Sequence, residues 1–441
     1  YRQRVTKLLD DTIKNIDLSK KRKEALEGIS LGTNFYLQYQ GQNDLELQIT
    51  YGEFIHHVMG ANYPQWVKPL FMPSVRAGEK IRIGYVSVHF RNNNGANWSL
   101  GWIKHINRKE FEIYCYYIGS ITDRVTDDFR LSSDVFHHIP RNLEKVCQQI
   151  IDDKIHILIY TDLGMEPQTM KMAALRLAPI QCTALGHPIT SGLPTIDYYL
   201  SRDLMEPENA QEHYSEKLIR LPNLGVCYPN PELPKSLQKR SEFNLKEQAI
   251  IYLSCQSLFK YLPQYDYIFP SIARRVPQAQ FAFIEFPVSQ FVTEQFKQRL
   301  QKNFADFKLN SEDYCVILPR LNETEYLNLN LISDIYLDSF SWSGDNTTIA
   351  AIACNLPIVT CPGEFMRSRH SYGILKRLGL TETVAKDEAD YIDIAVRLGV
   401  DAQFRQEIVK KIKANYACLY DDKTCIEALE QFYQRVVHEY L

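Results

Sequence analysis

Apolar residues change their spacing along the chain, and the change divides it. In residues 1–73 they recur about one helical turn apart: Ile13, Ile16 and Leu18, then Phe54, Ile55, Val58 and Met59, the pattern of helices buried on one side. A polar stretch holding Pro73 and Gly78 follows, and such punctuation predicts a linker. From Ile81 the period shortens to that of strands. Runs at residues 81–87, 111–117, 155–160 and 180–185 alternate with helical spans such as 143–151, which predicts a parallel sheet covered on both faces. A proline cluster, Pro229, Pro231 and Pro234, ends this region. The alternation then restarts, with strands expected at 249–254, 280–284, 314–318, 332–337 and 358–360. Leu429, Phe432, Tyr433 and Val436 place a last helix at the end of the chain. The expected organisation is a helical preface over 1–78, a Rossmann-like domain over 79–235, and a second over 236–441 that carries the closing helix. Ligands of such sheets bind beyond the carboxyl ends of the strands, so two facing domains predict a site in the cleft between them.

The strand-end loops hold the candidate chemistry. The run from Leu337 to Thr348 passes from a buried strand through Ser343 and Gly344 to a helix opening on Asn346-Thr347-Thr348. Open backbone N–H groups at a helix start, with the positive end of its dipole, suit an anion, most often a phosphate; an ordinary polar N-cap fits the same residues. After the strand at Ile250 come Gln256, Ser257 and then Lys260, a cation placed to reach a phosphate or else a surface lysine. Beyond the strand at Val316, Arg320 and Leu321 offer backbone to the edge of a base. Tyr326 offers a ring to stack on it, with a core or rim position as the alternative. Arg367, Arg369 and His370 follow the strand at Ile358 and point toward the same end, or into surface salt bridges. In the first half Gly186-His187-Pro188 opens a tight loop suited to close backbone approach, His187 being a donor or a turn residue. His89, in the loop after the first strand, is a candidate general base because the ordinary imidazole pKa suits that task. His156, inside an apolar strand, reads as a satisfied core histidine.

Composition narrows the partners. With 441 residues, 45% hydrophobic and 12% aromatic, the chain can bury large cores, and its net charge of -3 attracts neither nucleic acid nor an anionic membrane. No run approaches a membrane span, and the amino end lacks the apolar core of a signal peptide. Because it starts at Tyr1 rather than Met, the chain is expected to be part of something longer. Ten cysteines without a C-x-x-C pair, several inside apolar strands as Cys115 is, suit free thiols in a reducing, cytoplasmic setting. The pairs His56-His57 and His137-His138 lack the spacing of metal ligands on one face, so no metal is expected.

Taken in order, residues 81–87 and 175–181, then Gly186 to Gly192, Glu212 to Leu218, Gln256 to Lys260, Leu337-Asp338, Asn346 to Thr348 and Pro362 to Glu364, resemble the catalytic region of the protein O-GlcNAc transferases. The bacterial SPINDLY-like branch is the nearest in pattern, and the resemblance spans residues 79–440. It implies a GT-B fold, two facing Rossmann-like domains with the donor held mainly by the second, behind a short helical segment where the family has tetratricopeptide repeats. It also implies transfer of GlcNAc from UDP-GlcNAc to Ser or Thr hydroxyls of a protein or peptide, with no cofactor and no metal. By the same resemblance Lys260 would neutralise the departing diphosphate, with Gln256 and Ser257 beside it, and Asn346, Thr347 and Thr348 would supply helix-start hydrogen bonds. Arg320 and Leu321 would meet uracil, Tyr326 would stand near the base, and Gly186, His187 and Pro188 would lie against the sugar.

The chain departs from the family pattern in two places. The loop after the first strand commonly reads Ser-Asp-Phe-x-x-His in the family; here His89 and Asn93 stand at those acid–base positions. Ala350 replaces an acidic residue that would bind ribose hydroxyls. Two other readings therefore accompany the first: a transferase of another nucleotide sugar such as GDP-fucose, and a nucleotide-sugar-binding protein with weakened or absent catalysis.

Overall fold

The computed structural model describes residues 2–76, 78–93 and 95–440; Ala77 of the expected linker and Asn94 of the loop after the first strand lie outside the described residues. The chain divides into two compact units, one of Tyr1–Gln38, Gln42–Tyr228 and Asp422–Leu441, the other of Tyr39–Gly41 and Pro229–Asp421.

The first unit is built on seven strands: β1 (Ile81–Ser87), β2 (Phe111–Tyr117), β3 (Val135–His138), β4 (Ile157–Tyr160), β5 (Ile180–Thr183), β6 (Tyr198–Arg202) and β7 (Lys217–Leu221). They lie in the order β3-β2-β1-β4-β5-β6-β7, every pair parallel. The interior strands β4 and β5 are buried at every residue, as helix cover on both faces of a parallel sheet requires. The chain winds outward from β1 through β2 to β3, then returns to the other side of β1 at β4. The gap past the ends of β1 and β4 is therefore the switch point where such sheets bind ligands.

The helical preface is not a unit of its own. Its helix Leu45–Asn62 buries Ile55, Val58 and Met59 in one core with Leu158, Met172 and Ala173. His56 Nδ1 meets the Ala174 carbonyl at 2.8 Å, and Gln48 Nε2 donates to the Thr190 carbonyl at 3.3 Å. A single amphipathic helix cannot bury its apolar stripe alone, so it completes the cover of the neighbouring sheet. The closing helix, Thr424–Tyr440, also belongs to this unit and not to the second half where the sequence order placed it. Leu429, Phe432, Tyr433 and Val436 are all buried; the Tyr433 and Tyr85 hydroxyls share a 2.9 Å hydrogen bond, and Phe432 stands edge-on to Tyr198. A hydroxyl as deeply buried as that of Tyr85 requires a polar partner, and the helix brings it.

The second unit holds β8 (Ile250–Leu253), β9 (Ala279–Ile284), β10 (Cys315–Leu318), β11 (Ile335–Leu337) and β12 (Ile358–Val359). Their order is β10-β9-β8-β11-β12, again all parallel, so its switch point lies between β8 and β11. Residues Tyr39–Gly41 join this unit, the Tyr39 ring lying 4.8 Å from that of Phe259 and 4.4 Å from that of Trp342. No helix among the described residues is long and apolar enough to cross a membrane.

Candidate functional site

At the switch point of the second unit, the segment after β8 turns back on itself. Ser254 Oγ donates to the Leu337 carbonyl at 3.2 Å and shares a 2.9 Å bond with the Tyr261 hydroxyl, which also accepts from the Gln256 backbone N–H. This brace sets Gln256 and the short 3-10 turn Leu258–Lys260 over the strand ends. Lys260 Nζ donates to Gln256 Oε1 at 3.1 Å, and Gln256 Nε2 donates to Thr347 Oγ1 at 2.9 Å. The sequence-predicted lysine and helix start are therefore brought together through one carboxamide. Thr347 Oγ1 also accepts from the Tyr336 hydroxyl at 2.9 Å. With both lone pairs used, its own hydrogen is left to donate. The ammonium of Lys260 lies 4.9 Å from the Trp342 ring and 5.8 Å from the Tyr39 ring, a cation–π setting that holds the charge without neutralising it. Burial pulls its pKa down to about 8, against the upward pull of Cys255 and Asp338. The group remains mostly cationic at neutral pH.

Asp338, the first residue after β11, shapes the loop that leads to the helix Asn346–Ala353. Its carboxylate accepts from Ser343 Oγ at 2.6 Å, from the Gly344 N–H at 2.8 Å and from Thr360 Oγ1 at 2.7 Å. Burial raises its pKa while those three bonds oppose the rise. Gly344 is required by close approach: a Cβ there would stand 2.4 Å from Thr347 Oγ1 and 2.7 Å from the Tyr336 hydroxyl. The loop therefore lies flat against the helix start, in close contact with the Thr347 and Thr348 hydroxyls. Thr348 differs from its neighbours. It is fully buried, and its hydroxyl pairs with Ser371 Oγ at 2.7 Å, so its side chain supports the wall of the site.

The remaining predicted residues of this unit fall into two groups. Arg320 is exposed and Leu321 half-buried just past β10, and neither uses its backbone in a backbone hydrogen bond among the described residues. Ser257 caps the turn, its carbonyl accepting from the Lys260 N–H. The Tyr326 hydroxyl is committed to Cys255 Sγ at 3.0 Å and ties the helix Glu323–Ile332 to the end of β8. Arg367 and His370 are buried instead of reaching outward: Arg367 stacks over Phe365, and His370 Nδ1 meets the Ser343 carbonyl at 3.1 Å. Arg369 holds the Gly363 carbonyl at 3.0 Å. The His370 ring thus braces the Ser343–Gly344 turn, and Arg369 braces the Gly363 loop.

In the first unit the loop after β5 is packed onto the residues after β4. A Cβ on Gly186 would sit 1.9 Å from the Thr161 carbonyl oxygen, so only glycine fits. His187 and Pro188 are buried; the His187 ring stacks on Phe35, and its carbonyl accepts from the Tyr199 hydroxyl at 3.0 Å. The far side of the loop is clamped by Glu216, which accepts from Thr190 Oγ1 at 2.6 Å, from the Ser191 N–H at 2.7 Å and from Ser191 Oγ. His89 is half-buried beyond β1, and its N–H donates to Ser87 Oγ at 2.8 Å. Burial, helped by Arg91, pushes its pKa down to about 4, so the imidazole is neutral at physiological pH and a weaker base than the ordinary value suggested. Asn93 spends its side-chain carbonyl on the Gly95 N–H at 2.9 Å, where the helix Ala96–His105 begins. His156 is a core residue, its Nδ1 accepting from the Arg82 N–H at 3.0 Å.

Two buried carboxylates carry more of this geometry than the sequence reading gave them. Asp338 entered there only as part of a motif, and Asp162, two residues past β4, not at all. The available signal was position: each is an acidic residue at the end of an apolar strand, where burial of a charge demands donors. Among the described residues no group of three His, Cys, Asp or Glu side chains is placed to hold a metal ion.

The chain matches the family model described as glycosyl transferase family 41 over residues 66–226 and 230–429. It is 26% identical over 393 residues to the Arabidopsis thaliana protein named probable UDP-N-acetylglucosamine–peptide N-acetylglucosaminyltransferase SEC, covering 84% of this chain and 38% of that one. It is 28% identical over 390 residues to the Oryza sativa subsp. japonica protein of the same enzyme name designated SPINDLY, covering 86% and 40%. The chain thus spans about two fifths of the length of these relatives. Among solved structures, a point mutant of the Thermobaculum terrenum O-GlcNAc transferase superposes with a TM-score of 0.77 at 24% identity, covering 96% of this chain and 79% of that one. The fold is accordingly of the GT-B type, with its Rossmann-like units joined to an N-terminal helical segment.

Proposed function

The chain belongs to glycosyl transferase family 41, and from that membership we propose that it moves GlcNAc from UDP-GlcNAc to Ser or Thr hydroxyls of a protein or peptide. The single observation that carries the reading is the chain of hydrogen bonds from Lys260 through Gln256 to Thr347. It sets a cation, a hydroxyl that keeps its hydrogen to donate and a helix start at one strand-end crevice, the array a diphosphate leaving group needs.

In the transfer the acceptor oxygen attacks the anomeric carbon, and the bond to the diphosphate breaks with its electron pair. Negative charge grows on the leaving oxygens. Lys260 and the amino end of the helix Asn346–Ala353 are fixed before the reaction, so they stabilise that charge without reorganising. This supports a mechanism in which no metal and no cofactor supply the positive charge. The backbone of Arg320 and Leu321 is proposed to read the uracil edge, with the ring of Tyr326 beside it, and the Gly186 loop to border the sugar. The names of the relatives favour UDP-GlcNAc over GDP-fucose as donor. The ten free cysteines suit the proposed cytoplasmic setting, and the small net charge suits a protein acceptor better than nucleic acid.

Radiolabelled UDP-GlcNAc offered with a library of Ser- and Thr-containing peptides tests the proposal. Label on peptide that is lost in Lys260→Met supports it. Binding of UDP-GlcNAc with no transfer to any peptide or to water would leave a nucleotide-sugar-binding protein in its place, as the altered positions His89, Asn93 and Ala350 suggested.

A further inference from the structure

Residues Tyr39–Gly41 precede residue 66, where the family match begins, yet they pack as part of the second unit. There they touch both loops that build the phosphate cradle. The Tyr39 ring stands edge-on to Phe259, on the segment after β8, with the centroids 4.8 Å apart. It is tilted by 46° against Trp342, on the segment after β11, at 4.4 Å. A Cβ on Gly41 would lie 3.5 Å from Leu262 Cδ1 and 3.4 Å from Ser341 Cβ, which are again one residue from each loop.

Lys260 sits where these contacts converge. Its ammonium makes one hydrogen bond among the described residues, to Gln256 Oε1, so it keeps further hydrogens to donate. The Trp342 ring at 4.9 Å and the Tyr39 ring at 5.8 Å fill space beside it that water would otherwise occupy. Both rings are themselves buried, Tyr39 being 7% exposed and Trp342 9%. An ammonium between buried rings loses hydration and recovers part of it from the ring faces. It then attracts an anion more strongly than a hydrated cation does, because the local dielectric is lower. Trp342 supplies one wall from within the cradle. Tyr39 supplies the other from the preface.

We propose that Tyr39 is a positioning residue of the diphosphate site: its ring seats Lys260 and keeps water from the ammonium, so that the cation meets the diphosphate dry. The inference rests on the reading of Lys260 as the partner of a diphosphate, and it extends donor binding to a residue outside the family match. The ring brings no charge of its own. The titratable groups near the ammonium are Cys255 after β8 and Asp338 after β11. Asp266, which lines the same small cavity as Lys260 and Asp338, is paired with Arg299 at 2.6 and 2.7 Å. Burial outweighs the upward pull of Cys255 and Asp338 and sets the Lys260 pKa at about 8. Removing the ring admits water, so the pKa returns toward 10.5 and the ammonium must shed that water when the diphosphate binds.

The test is calorimetry of UDP binding to the full chain from about pH 7 to about pH 10. Wild-type affinity should fall by up to about tenfold per pH unit above about 8, because the bound diphosphate restores the proton to Lys260. Tyr39→Ala should bind UDP about tenfold more weakly at about pH 7. It should also lose the break, its affinity staying within about twofold between about pH 8 and 9.5, since its lysine is already protonated there. Tyr39→Gln, which fills the space with a polar chain, should do the same and serves where the alanine variant does not fold. Tyr39→Phe keeps the ring and should stay within about twofold of wild type with the break in place. A ring-less variant that keeps the wild-type break, whatever its affinity, reduces Tyr39 to packing and overturns the proposal alone, as does a Tyr39→Phe protein that has lost the break. No UDP binding by wild type at any pH overturns the reading of Lys260 and the proposal with it.

Discussion

Lys260 and Thr347 sit at the two ends of one carboxamide: Gln256 accepts from the ammonium at 3.1 Å and donates to the hydroxyl at 2.9 Å. The two residues are far apart in sequence and come from loops after different strands. Their pairing follows from the parallel order of the second sheet, which sets β8 beside β11. The carboxamide also orients both groups, since one end of an amide can only accept and the other only donate.

Replacing that carboxamide should uncouple the pair while leaving both charged and helical elements in place. Gln256→Leu is expected to weaken UDP binding by about tenfold to 100-fold, the size of one or two hydrogen bonds to a charged system. Calorimetry reads it directly. An unchanged affinity would mean that Lys260 and Thr347 act independently of Gln256.

Lys260 gives the site a pH signature. Its pKa in the ligand-free fold is lowered from 10.5 to about 8, and a bound diphosphate raises it again. Between these values, binding must therefore take up a proton, and UDP affinity should fall as pH rises above about 8. The stability of the ligand-free protein runs the other way, because the unfolded chain binds more protons than the folded one in this window; that contribution rises with pH from about 8 to 10.5. Titrations at about pH 8.5 in two buffers of different ionisation enthalpy should show proton uptake in wild type and none in Lys260→Met.

Gly344 tests the shape of the helix start. An added methyl would meet Thr347 Oγ1, Thr348 Oγ1 and the Tyr336 hydroxyl, all within 2.7 Å. All three are held by further hydrogen bonds and cannot simply swing away. Gly344→Ala should cost about 1–3 kcal/mol in stability and weaken UDP binding about tenfold or more, as measured by thermal unfolding with and without UDP. A variant with wild-type affinity would show that the loop yields at no expense to the site.

Glu216 holds the Gly186 loop from its far side, and removing it strands the donors on Thr190 and Ser191. Glu216→Ala is expected to lower stability by about 3 kcal/mol and Tm by roughly 5–10 °C. UDP affinity should change little, since the phosphate cradle belongs to the other unit. Equal losses of stability and UDP affinity would argue against that separation.

Much of this was legible in the chain. Strands rich in apolar residues, such as β1 with Ile81, Ile83, Tyr85 and Val86, announce themselves, and Lys260 and Thr347 were found from their places in the segments that follow two such strands. The edge strand β3 contains His137 and His138, and the edge strand β7 carries Lys217 and Arg220 among its apolar residues, so neither had the signature of a buried strand. β6, buried throughout, ends in Ser201 and Arg202, whose polarity hid it. Tyr39 and the helix Thr424–Tyr440 pack in units that sequence order does not give, because tertiary burial decides where an apolar face goes. Asp162 was missed for a similar reason. Nothing in Tyr160-Thr161-Asp162-Leu163 marks it; its donors, Ser87 and Val88, come from a strand end 75 and 74 residues earlier.

The most direct test of the whole account is calorimetry of UDP, GDP and uridine against wild type and Lys260→Met. UDP should bind wild type well ahead of GDP and uridine, and Lys260→Met should lose about 100-fold or more in UDP affinity while its weak uridine binding is unchanged. Equal binding of UDP and uridine, or a Lys260→Met protein that holds UDP as tightly as wild type, would contradict a diphosphate cradle at this crevice.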